Sequence, residues 1–585
     1  MNFTDLLIHL SAPGGTKRSG PPFQPRLRAV DRHPDMEPDS QRAFEKGEPT
    51  NVTNIRRLVP QLIAVVTFLL AAWSLSEAWT SSTTRLTNTG CEEEAFFGVW
   101  KFMQGQPVYT DSHLVPFSVS YYNWLFYGFY GGITQAVLSL LNWGPESIPV
   151  ITRFITLAFS FSAIAIVYGL LGRLNNVGLL ASRLVRLALS AVLIINPLTD
   201  SWLLTTRPDV PAITLELAGL WLALRYLQSA RALHLLGAIV IGFLAWSFKH
   251  SYVHLLGGLF LFFALRRQWR ELLTVTFVSA GLVLATLIIG GSGFRHALLA
   301  SQANCHLDFV IACKLFYFAC AAAPQVAVFA LGLLVVGCWP GRAALGTNTK
   351  VLGLAGLVSL LLGFVGAAKD GAGSHYFIPA SIFAVAWAFS LIPREKGLPG
   401  NPQSFVSYAV LTVFALGAWK GLWPHGVDAM RSAARAVAIQ PVQAREPSVA
   451  TVQQITAQLR KNLEQLPGPI FVNERACNLP WIQPKAPHVV YSFTYILDKS
   501  AGDRFESGGI GGLIEQGYFE TIVVLERHCA CEKGHAEPKQ CIHTTMNLLP
   551  LVTSGPVPTI DGGRLTLYEP ALTDGVFTYY RKRRG

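Results

Sequence analysis

Charged residues are scarce in this chain. They make up 14% of its 585 residues, and 51% are hydrophobic, whereas about a quarter of the residues of a soluble domain are charged. This composition excludes a protein that is soluble over its whole length. Eleven apolar stretches, each roughly long enough to cross a bilayer, predict an α-helical polytopic membrane protein with about 11 transmembrane helices. The predicted spans are 60–79, 148–171, 181–201, 209–227, 233–248, 251–266, 272–290, 316–338, 351–367, 376–392 and 404–423.

The sequence also lacks a cleavable signal peptide. The first long apolar run, at 60–79, begins too late and is too long for the hydrophobic region of such a peptide. We therefore expect it to be an uncleaved anchor. Residues 1–59 are rich in Pro, Gly and charge and show no apolar period, which predicts a disordered cytoplasmic tail.

Lys and Arg predict the orientation of the chain, because they accumulate in short cytoplasmic loops. Every second connection is basic, so we expect the N-terminus and these connections on the cytoplasmic side of an inner (plasma) membrane. An odd number of spans then places the C-terminus outside. The net charge of +12 is dispersed as this topology requires, which argues against nucleic acid as a partner. The basic residues are Arg56, Arg57, Arg173, Arg183, Arg186, Arg225, Arg231, Arg266, Arg267, Arg270, Arg342, Lys350, Arg394 and Lys396.

Three long segments are predicted on the outer (periplasmic or extracellular) side. They are the first outer loop, 80–149, the second outer loop, 290–315, and a domain at 441–585; the bundle itself is expected at 60–430. Within the first loop, 121–143 is aromatic and apolar but contains several glycines. We expect an interfacial helix there, because a span would invert every later basic loop. Because all three long segments lie on the same side of the membrane in this topology, we expect the chemistry on the outer side.

An acidic cluster opens the first outer loop. Glu92, Glu93 and Glu94 precede a helical pattern that ends near Gly105. Successive helix positions point about 100° apart, so at most one or two of the three carboxylates can face a common pocket. One interpretation is a solvated acidic loop. The other is a general base that acts on a substrate held in the membrane.

Charged residues also occur where predicted spans meet the outer side. Arg207 and Asp209 open the span at 209–227, where Pro and an acidic residue suit a helix start. Their functional interpretation is that they line a cavity facing the glutamates. Lys249 falls at the turn between two spans, where it can bind a phosphate or extend to the lipid headgroups.

A second charged turn follows the span at 351–367. It reads A-K-D-G-A-G-S-H-Y-F and places Lys369, His375 and Tyr376 between apolar helices. Backbone of this kind is tolerated at membrane depth only where it lines a cavity or is covered by protein. We expect Lys369 to bind a phosphate. His375 is expected to add a hydrogen bond or to be structural.

Together these motifs resemble the GT-C superfamily of membrane glycosyltransferases, which includes protein mannosyltransferases and aminoarabinose transferases. The acidic cluster is followed by G-x-P-x-Y-x-D at Gly105, Pro107, Tyr109 and Asp111. The R-P-D sequence and a K-x-G-x-x-x-N-Y-F pattern, in which His375 replaces Asn, are also similar. The resemblance covers about residues 60–430.

The resemblance implies a polyprenyl-phosphate sugar as donor, and transfer with inversion to a lipid, glycan or protein acceptor on the outer face. One of the three glutamates would be the base. A divalent metal is compatible with the resemblance, although no ligand set in the sequence requires one. Asp111 and Asp209 would support the site, and the donor phosphate would be bound by Arg207, Lys249 and Lys369, with His375 and Tyr376 beside it.

Two other classes of function compete with this interpretation. A transporter or flippase for a lipid-linked or anionic solute would show inverted repeats and broken helices at matching positions, and the sequence contains no convincing repeat. A non-catalytic scaffold would use the outer domain to bind a partner. Neither explains why acidic and basic residues gather at the same outer ends of several spans.

The outer domain at 441–585 reads as a small α/β domain. Apolar residues from Val449 to Leu466 recur at helical spacing. Strands are predicted at 470–472, 489–491, 521–525 and 565–568. The glycines at 508–512 lack the third position of a dinucleotide fingerprint and predict a loop before a helix around Leu513.

Cysteine is concentrated in the same domain. Four of the nine cysteines lie there: Cys477, Cys529, Cys531 and Cys541. With three histidines at 528, 535 and 543, this run of Cys and His residues is a candidate zinc site. An oxidising outer compartment instead favours disulfides, for which Cys531 with Cys541 is one pairing.

Overall fold

The computed structural model describes residues 50–84, 86–88, 92–118, 120–174, 182–338, 345–369, 371–392, 405–421, 449–525, 551–552, 559–574 and 576–584. Helices of seven or more residues are labelled in chain order. They are α1 Thr50–Thr84, α2 Glu92–Met103, α3 Trp124–Leu141, α4 Ile148–Arg173, α5 Arg183–Ile194, α6 Asp209–Ser229, α7 Ala232–Phe248, α8 His254–Leu265, α9 Trp269–Ile289, α10 Phe309–Ala322, α11 Gln325–Cys338, α12 Thr347–Ala367, α13 Ile378–Leu391, α14 Phe405–Gly421, α15 Val449–Gln465, α16 Phe493–Ser500 and α17 Gly509–Glu515. The predicted tail, 1–59, lies almost wholly outside the described residues.

Long apolar helices confirm a membrane protein. Among the described residues, seven helices are long and apolar enough to cross a membrane. Six of them coincide with predicted spans: 60–79, 148–171, 209–227, 272–290, 351–367 and 376–392. The predicted spans 233–248, 251–266 and 404–423 coincide with α7, α8 and α14, which are apolar but shorter than 18 residues. The predicted count of eleven is therefore confirmed only in part.

Two predicted spans are not single long helices. The span predicted at 181–201 contains only α5, a helix of 12 residues. The chain turns there because the Asn196 side chain accepts from the backbone N–H of Leu198 (2.9 Å) and donates to the Leu193 carbonyl (2.8 Å). The span predicted at 316–338 is bent by 104° between α10 and α11. Pro324 lies at this break and has no N–H to continue a helix.

The aromatic stretch at 121–143 is helical, as predicted. Its helix, α3, is capped by Asn123, whose side-chain oxygen accepts from the Trp124 N–H at 2.8 Å. The Asn123 amide also donates to the Trp246 carbonyl at 2.9 Å. With 18 residues, α3 also meets the length and hydropathy of a membrane span. Its expected interfacial position therefore stays a prediction.

Glycine permits close helix packing inside the bundle. A Cβ on Gly258 of α8 would lie 2.7 Å from the Ala355 Cα of α12, and a Cβ on Gly219 of α6 would lie 3.3 Å from the Ala238 carbonyl of α7. Without a hydrophobic force between helices in lipid, such small residues let backbones approach and pack. These contacts pack α8 closely on α12 and α6 closely on α7.

The C-terminal domain contains a mixed four-stranded sheet. Its strands are β1 Ile470–Val472, β2 Thr521–Leu525, β6 Tyr568–Thr573 and β7 Phe577–Lys582, in the order β1-β2-β7-β6. β1 and β2 are parallel, and the other pairs are antiparallel. A second small sheet contains β3 Leu551–Val552, β4 Thr559–Ile560 and β5 Gly563–Arg564.

The strand predictions are partly confirmed. Strands occur at 470–472 and 521–525, and helices occur at 449–465 and, after the predicted glycine loop, at 509–515. The segment 489–491 is not a strand: the Val490 N–H donates to the Pro116 carbonyl of the first outer loop at 3.1 Å. At 565–568 a 3-10 turn precedes β6. The cysteines at 529, 531 and 541 and their neighbouring histidines lie outside the described residues, and Cys477 is buried.

The outer domain packs on the first outer loop. Phe117 of that loop is fully buried within the domain's apolar core, with its ring centroid 5.4 Å from that of Tyr495. The Glu506 N–H donates to the His113 carbonyl at 2.8 Å, and its carboxylate accepts from the Val115 N–H at 2.9 Å. This docking holds the C-terminal domain against residues 113–117 of the first outer loop.

Candidate functional site

The three glutamates of the first outer loop are all buried. They form the first turn of α2, with relative exposures of 0% for Glu92, 2% for Glu93 and 3% for Glu94. Carboxylates are favourable at this end of a helix because its free N–H groups carry partial positive charge. Burial at this level excludes the interpretation of a solvated acidic loop.

Glu92 is fixed from both sides by Arg153 of α4. The Arg153 Nε donates to Glu92 Oε1 at 3.0 Å, and one terminal nitrogen donates to Oε2 at 2.9 Å. The backbone N–H of Thr206 also donates to Oε1 (2.8 Å), and that of Asn88 donates to Oε2 (2.5 Å). Both oxygens are thus in use, so Glu92 joins the acidic helix to the bundle and to the segment that holds Arg207.

Glu93 and Glu94 face Arg475, which belongs to the outer domain. Arg475 follows β1 in a short 3-10 turn and is buried. Its Nε lies 3.0 Å from Glu93 Oε1, and a terminal nitrogen donates to Glu94 Oε1. The same Glu94 oxygen accepts from the backbone N–H of Phe493, the first residue of α16. One oxygen of Glu94 is therefore anchored by two donors of the outer domain.

The other oxygen of Glu94 is unpartnered. Glu94 Oε2 is buried and has no hydrogen-bond partner among the described residues. Burial raises the pKa of Glu94 to about 7, against the opposing effect of the Arg475 charge; Glu93 raises it further, and Arg207 lowers it. A carboxylate with a pKa near 7 and a free, oriented oxygen is suited to accept a proton at neutral pH.

Asp209 pairs with Lys249 beside the acidic helix. The Lys249 ammonium lies 2.6 Å from Asp209 Oδ1, and both side chains are buried. The Tyr252 hydroxyl also donates to Oδ1, at 3.4 Å, while Arg207 Nε lies 3.8 Å from Oδ2. Lys249 therefore does not extend to the headgroups, and much of its charge is balanced by Asp209.

Arg207 lies on aromatic rings at the edge of this pair. Its guanidinium carbon is 4.3 Å from the Trp202 ring centroid and 5.9 Å from that of Tyr122. The side chain is 14% exposed, so a planar cation is presented from a partly desolvated position. Such a group binds phosphate oxygens well.

His375 and Tyr376 line the same cluster. The His375 ring stacks on Trp202, with a centroid distance of 4.1 Å, and its Nε2 lies 4.0 Å from Asp209 Oδ1. Neither ring nitrogen has a hydrogen-bond partner among the described residues. The Tyr376 ring faces the Lys249 ammonium at 4.9 Å. His375 thus lies in the cluster, and its predicted hydrogen bond is not formed with any of the described residues.

Lys369 lies on the far side of the cluster. Its ammonium donates to Gln302 Oε1 at 3.2 Å, and the Tyr121 hydroxyl donates to the same oxygen at 3.1 Å. No carboxylate of the described residues lies within ion-pair distance of Lys369, and burial lowers its pKa below the ordinary value. Tyr121 in turn packs against Phe493 at 5.2 Å, which connects Lys369 to the Glu94 anchor.

Asp111, which the resemblance implied would support the site of the glutamates, lies elsewhere. Its carboxylate accepts from the His113 N–H (2.9 Å) and faces His113 Nδ1 at 3.0 Å. The neighbouring charged residues are Asp503 and His296. The structure thus brings together nine of the ten predicted site residues and separates the tenth.

Four important residues were not predicted from the sequence: Arg153, Gln302, Arg475 and Phe493. Arg153 is a cation near the outer end of an apolar span, which alone marks it as functional or paired. Arg475 and Phe493 gave no such signal, because a soluble domain contains many Arg and Phe residues. Their roles follow only from the docking of the outer domain.

Comparison with known proteins adds no relative. The chain matches no protein-family model, and no curated protein matches it. The resemblance to GT-C glycosyltransferases therefore rests on the motifs, and the function must be argued from the geometry of the site.

Proposed function

We propose that this protein is a polytopic membrane glycosyltransferase. It transfers a sugar from a polyprenyl-phosphate donor to a hydroxyl group of a lipid, glycan or protein acceptor on the outer face of the membrane. The observation that carries the proposal is the Glu94 carboxylate, which has one anchored and one unpartnered oxygen. Arg207 is close enough to lower its pKa, so base and cation share one site.

Glu94 is the general base of the proposed reaction. Its Oε2 takes the proton of the acceptor hydroxyl while Arg475 and the Phe493 N–H hold Oε1. Glu92 is unsuited to this task, since both its oxygens already accept hydrogen bonds. Glu93 contributes by raising the pKa of Glu94. Both Glu93 oxygens also lack a hydrogen-bond partner among the described residues, so the choice of Glu94 rests on its anchored second oxygen and its raised pKa.

The cations support departure of the phosphate. Arg207, Lys249 and Lys369 contribute three positive charges, and Asp209 contributes one negative charge close to Lys249. These cations can bind the phosphate monoester that leaves, whose charge at neutral pH approaches −2. In a partly dry site such charges stabilise the leaving group far more than they would in water.

The transfer is a displacement at the anomeric carbon of the sugar. The acceptor oxygen forms a bond to this carbon as its proton passes to Glu94 Oε2. The bond between the anomeric carbon and the phosphate oxygen breaks, and the electron pair leaves with the polyprenyl phosphate. Inversion follows because base and leaving group act from opposite faces, and no oxidant, reductant or metal is required for balance.

The surroundings of the site support a donor with an apolar chain. Lys369 follows α12, a helix that is long and apolar enough to cross a membrane, and Glu94 lies in the first turn of the short helix α2 of the first outer loop. A donor with an apolar chain could reach the phosphate site from the bilayer while its sugar projects to the outer side. The same motifs carry the resemblance to enzymes that use polyprenyl-phosphate sugars.

Purified protein with a panel of polyprenyl-phosphate sugars tests the proposal. Release of polyprenyl phosphate by the wild type, and its loss in Glu94→Gln, would support transfer. Glu520→Gln, at a side chain that is 43% exposed, is the matched control and should keep full activity. A transporter would instead move the labelled donor between leaflets of a proteoliposome without cleaving it, and that result would replace the proposal.

A further inference from the structure

A group of metal-ligand residues lies at the junction of the outer segments. His113 comes from the first outer loop, His296 from the second and Asp498 from α16 of the outer domain. Each offers an atom that can bind a metal, and these atoms lie within 4.8 Å of one another. The group is separate from the glutamates and cations of the transfer site.

The Asp498 carboxylate is buried and held in one orientation, unlike a carboxylate on the protein surface. It is fully buried, and donors from both outer loops orient it. Its Oδ2 accepts from the Ser112 hydroxyl (2.9 Å), faces His296 Nε2 (3.0 Å) and accepts from the Ser301 hydroxyl (3.3 Å). Its Oδ1 accepts from the Asn304 amide at 3.0 Å. Hydrogen bonds of this kind fix the direction of a metal-binding carboxylate.

His113 has the arrangement of a metal ligand with an orienting carboxylate. Its Nδ1 lies 3.0 Å from Asp111 Oδ1, and its Nε2 lies 3.1 Å from Asp503 Oδ2. A proton shared between Nδ1 and Asp111 leaves the lone pair on Nε2, which is the tautomer that binds a metal. Three carboxylates and two imidazoles also leave an excess of negative charge, which a divalent cation would balance.

We propose that His113, His296 and Asp498 bind a divalent transition-metal ion, most suitably zinc. Two imidazole nitrogens and one carboxylate oxygen are a common zinc ligand set, and four-coordinate geometry leaves one position. Asp503 or a water molecule fills it. His296 then presents Nε2 to the ion and carries its proton on Nδ1, and the ion replaces the His296–Asp498 hydrogen bond.

The ion joins three segments that also contact one another through apolar side chains. It ties the outer domain to both outer loops at α16, whose first residue, Phe493, donates to Glu94. The metal therefore has a structural role and takes no part in the transfer step. The site stands whether or not the protein is a glycosyltransferase.

Zinc content and affinity of the full-length protein test the site. After chelator treatment and titration with zinc, His113→Ala and His296→Ala should each bind zinc about a hundredfold more weakly than the wild type. Asp111→Asn, which alters only the orienting group, should weaken binding about tenfold. His306→Ala is the control, because His306 is an exposed histidine of the second outer loop, like His296. This variant should bind zinc as the wild type does.

The cysteine and histidine run near residue 530 is a separate candidate for zinc, so the experiment includes Cys529→Ser/Cys531→Ser. Cobalt distinguishes the two, because cysteine ligation adds an intense thiolate charge-transfer band that imidazole and carboxylate ligation lack. We expect a cobalt spectrum without this band at the His113 site, and zinc binding that survives the cysteine replacements. Equal zinc affinity in the wild type, His113→Ala and His296→Ala would overturn the proposal.

Discussion

At the scale of residues, three adjacent glutamates meet three different environments. Each helix position turns by about 100°, so their carboxylates diverge. Glu92 is bonded by Arg153, Glu93 lies beside the Arg475 Nε with no hydrogen-bond partner among the described residues, and Glu94 has one anchored and one unpartnered oxygen. The sequence predicted that only one or two could share a pocket. It did not predict which, because the cations that divide them come from distant parts of the chain.

Glu92→Gln should affect stability more than chemistry. The substitution leaves the buried Arg153 charge without its carboxylate, and removing one partner of such a pair costs about 3–5 kcal/mol. We expect a clear fall in thermal stability in detergent, with donor turnover per folded molecule close to that of the wild type. Glu94→Gln should show the opposite behaviour. Loss of turnover in stable Glu92→Gln protein would reverse the assignment of the base.

Arg475→Met should move the pH dependence of transfer. The Arg475 charge lowers the pKa of Glu94, so its removal raises that pKa further above its ordinary value. The acidic limb of the pH–rate profile should shift to higher pH by about one unit or more. Arg475→Lys, which keeps the charge, should shift it less. A profile unchanged in Arg475→Met would mean that this residue only holds the outer domain in place.

At the scale of elements, apolar runs predicted the helices well and their lengths less well. Hydropathy does not reveal the Asn196 turn that ends α5 early or the break at Pro324 that bends α10 against α11. Strands were predicted at short apolar runs, but the run at 489–491 forms a backbone hydrogen bond with the first outer loop instead. Arg475 lies 381 residues after Glu94, and no local pattern predicts a contact over that separation.

The turn between α12 and α13 should control donor binding. Lys369 forms a β-bridge with Leu307, and the Asp308 N–H donates to the Ala368 carbonyl at 2.8 Å, which fixes the turn by its backbone. Lys369→Met should therefore keep this turn while removing the charge. We expect weaker donor binding and slower transfer with normal membrane insertion, measured by equilibrium binding of labelled donor.

Lys461→Met is the matched control for this prediction, because Lys461 is an exposed lysine of α15 in the outer domain. It should bind donor as the wild type does. If well-inserted Lys369→Met protein keeps its full donor affinity, Lys369 does not belong to the phosphate site.

At the scale of the whole molecule, the site combines three parts of the chain. The bundle provides the cations, the first outer loop provides the glutamates, and the outer domain provides Arg475 and the Phe493 N–H. The sequence predicted the first two parts and treated the outer domain as a separate unit. Phe117 of the first outer loop is buried in the core of the outer domain, and this contact makes the outer domain a part of the site.

The predicted topology gives a direct test at this scale. Ser500→Cys in the outer domain and Gln268→Cys between α8 and α9 are exposed positions that should lie on opposite sides of the membrane. A maleimide that cannot cross membranes should label residue 500 in intact cells and residue 268 only after permeabilisation. The unsubstituted protein gives the background from native cysteines. Labelling in the reverse order would invert the topology and place the site on the cytoplasmic side.

The pH dependence of sugar transfer tests the central claim, that Glu94 is the base. Because Glu94 accepts a proton only when ionised and its pKa is about 7, log(kcat/KM) should rise with a slope of one below that pH and level off above it. Glu94→Gln should lower the plateau by about a hundredfold or more and remove the limb. A limb that persists unchanged in active Glu94→Gln protein would contradict the account.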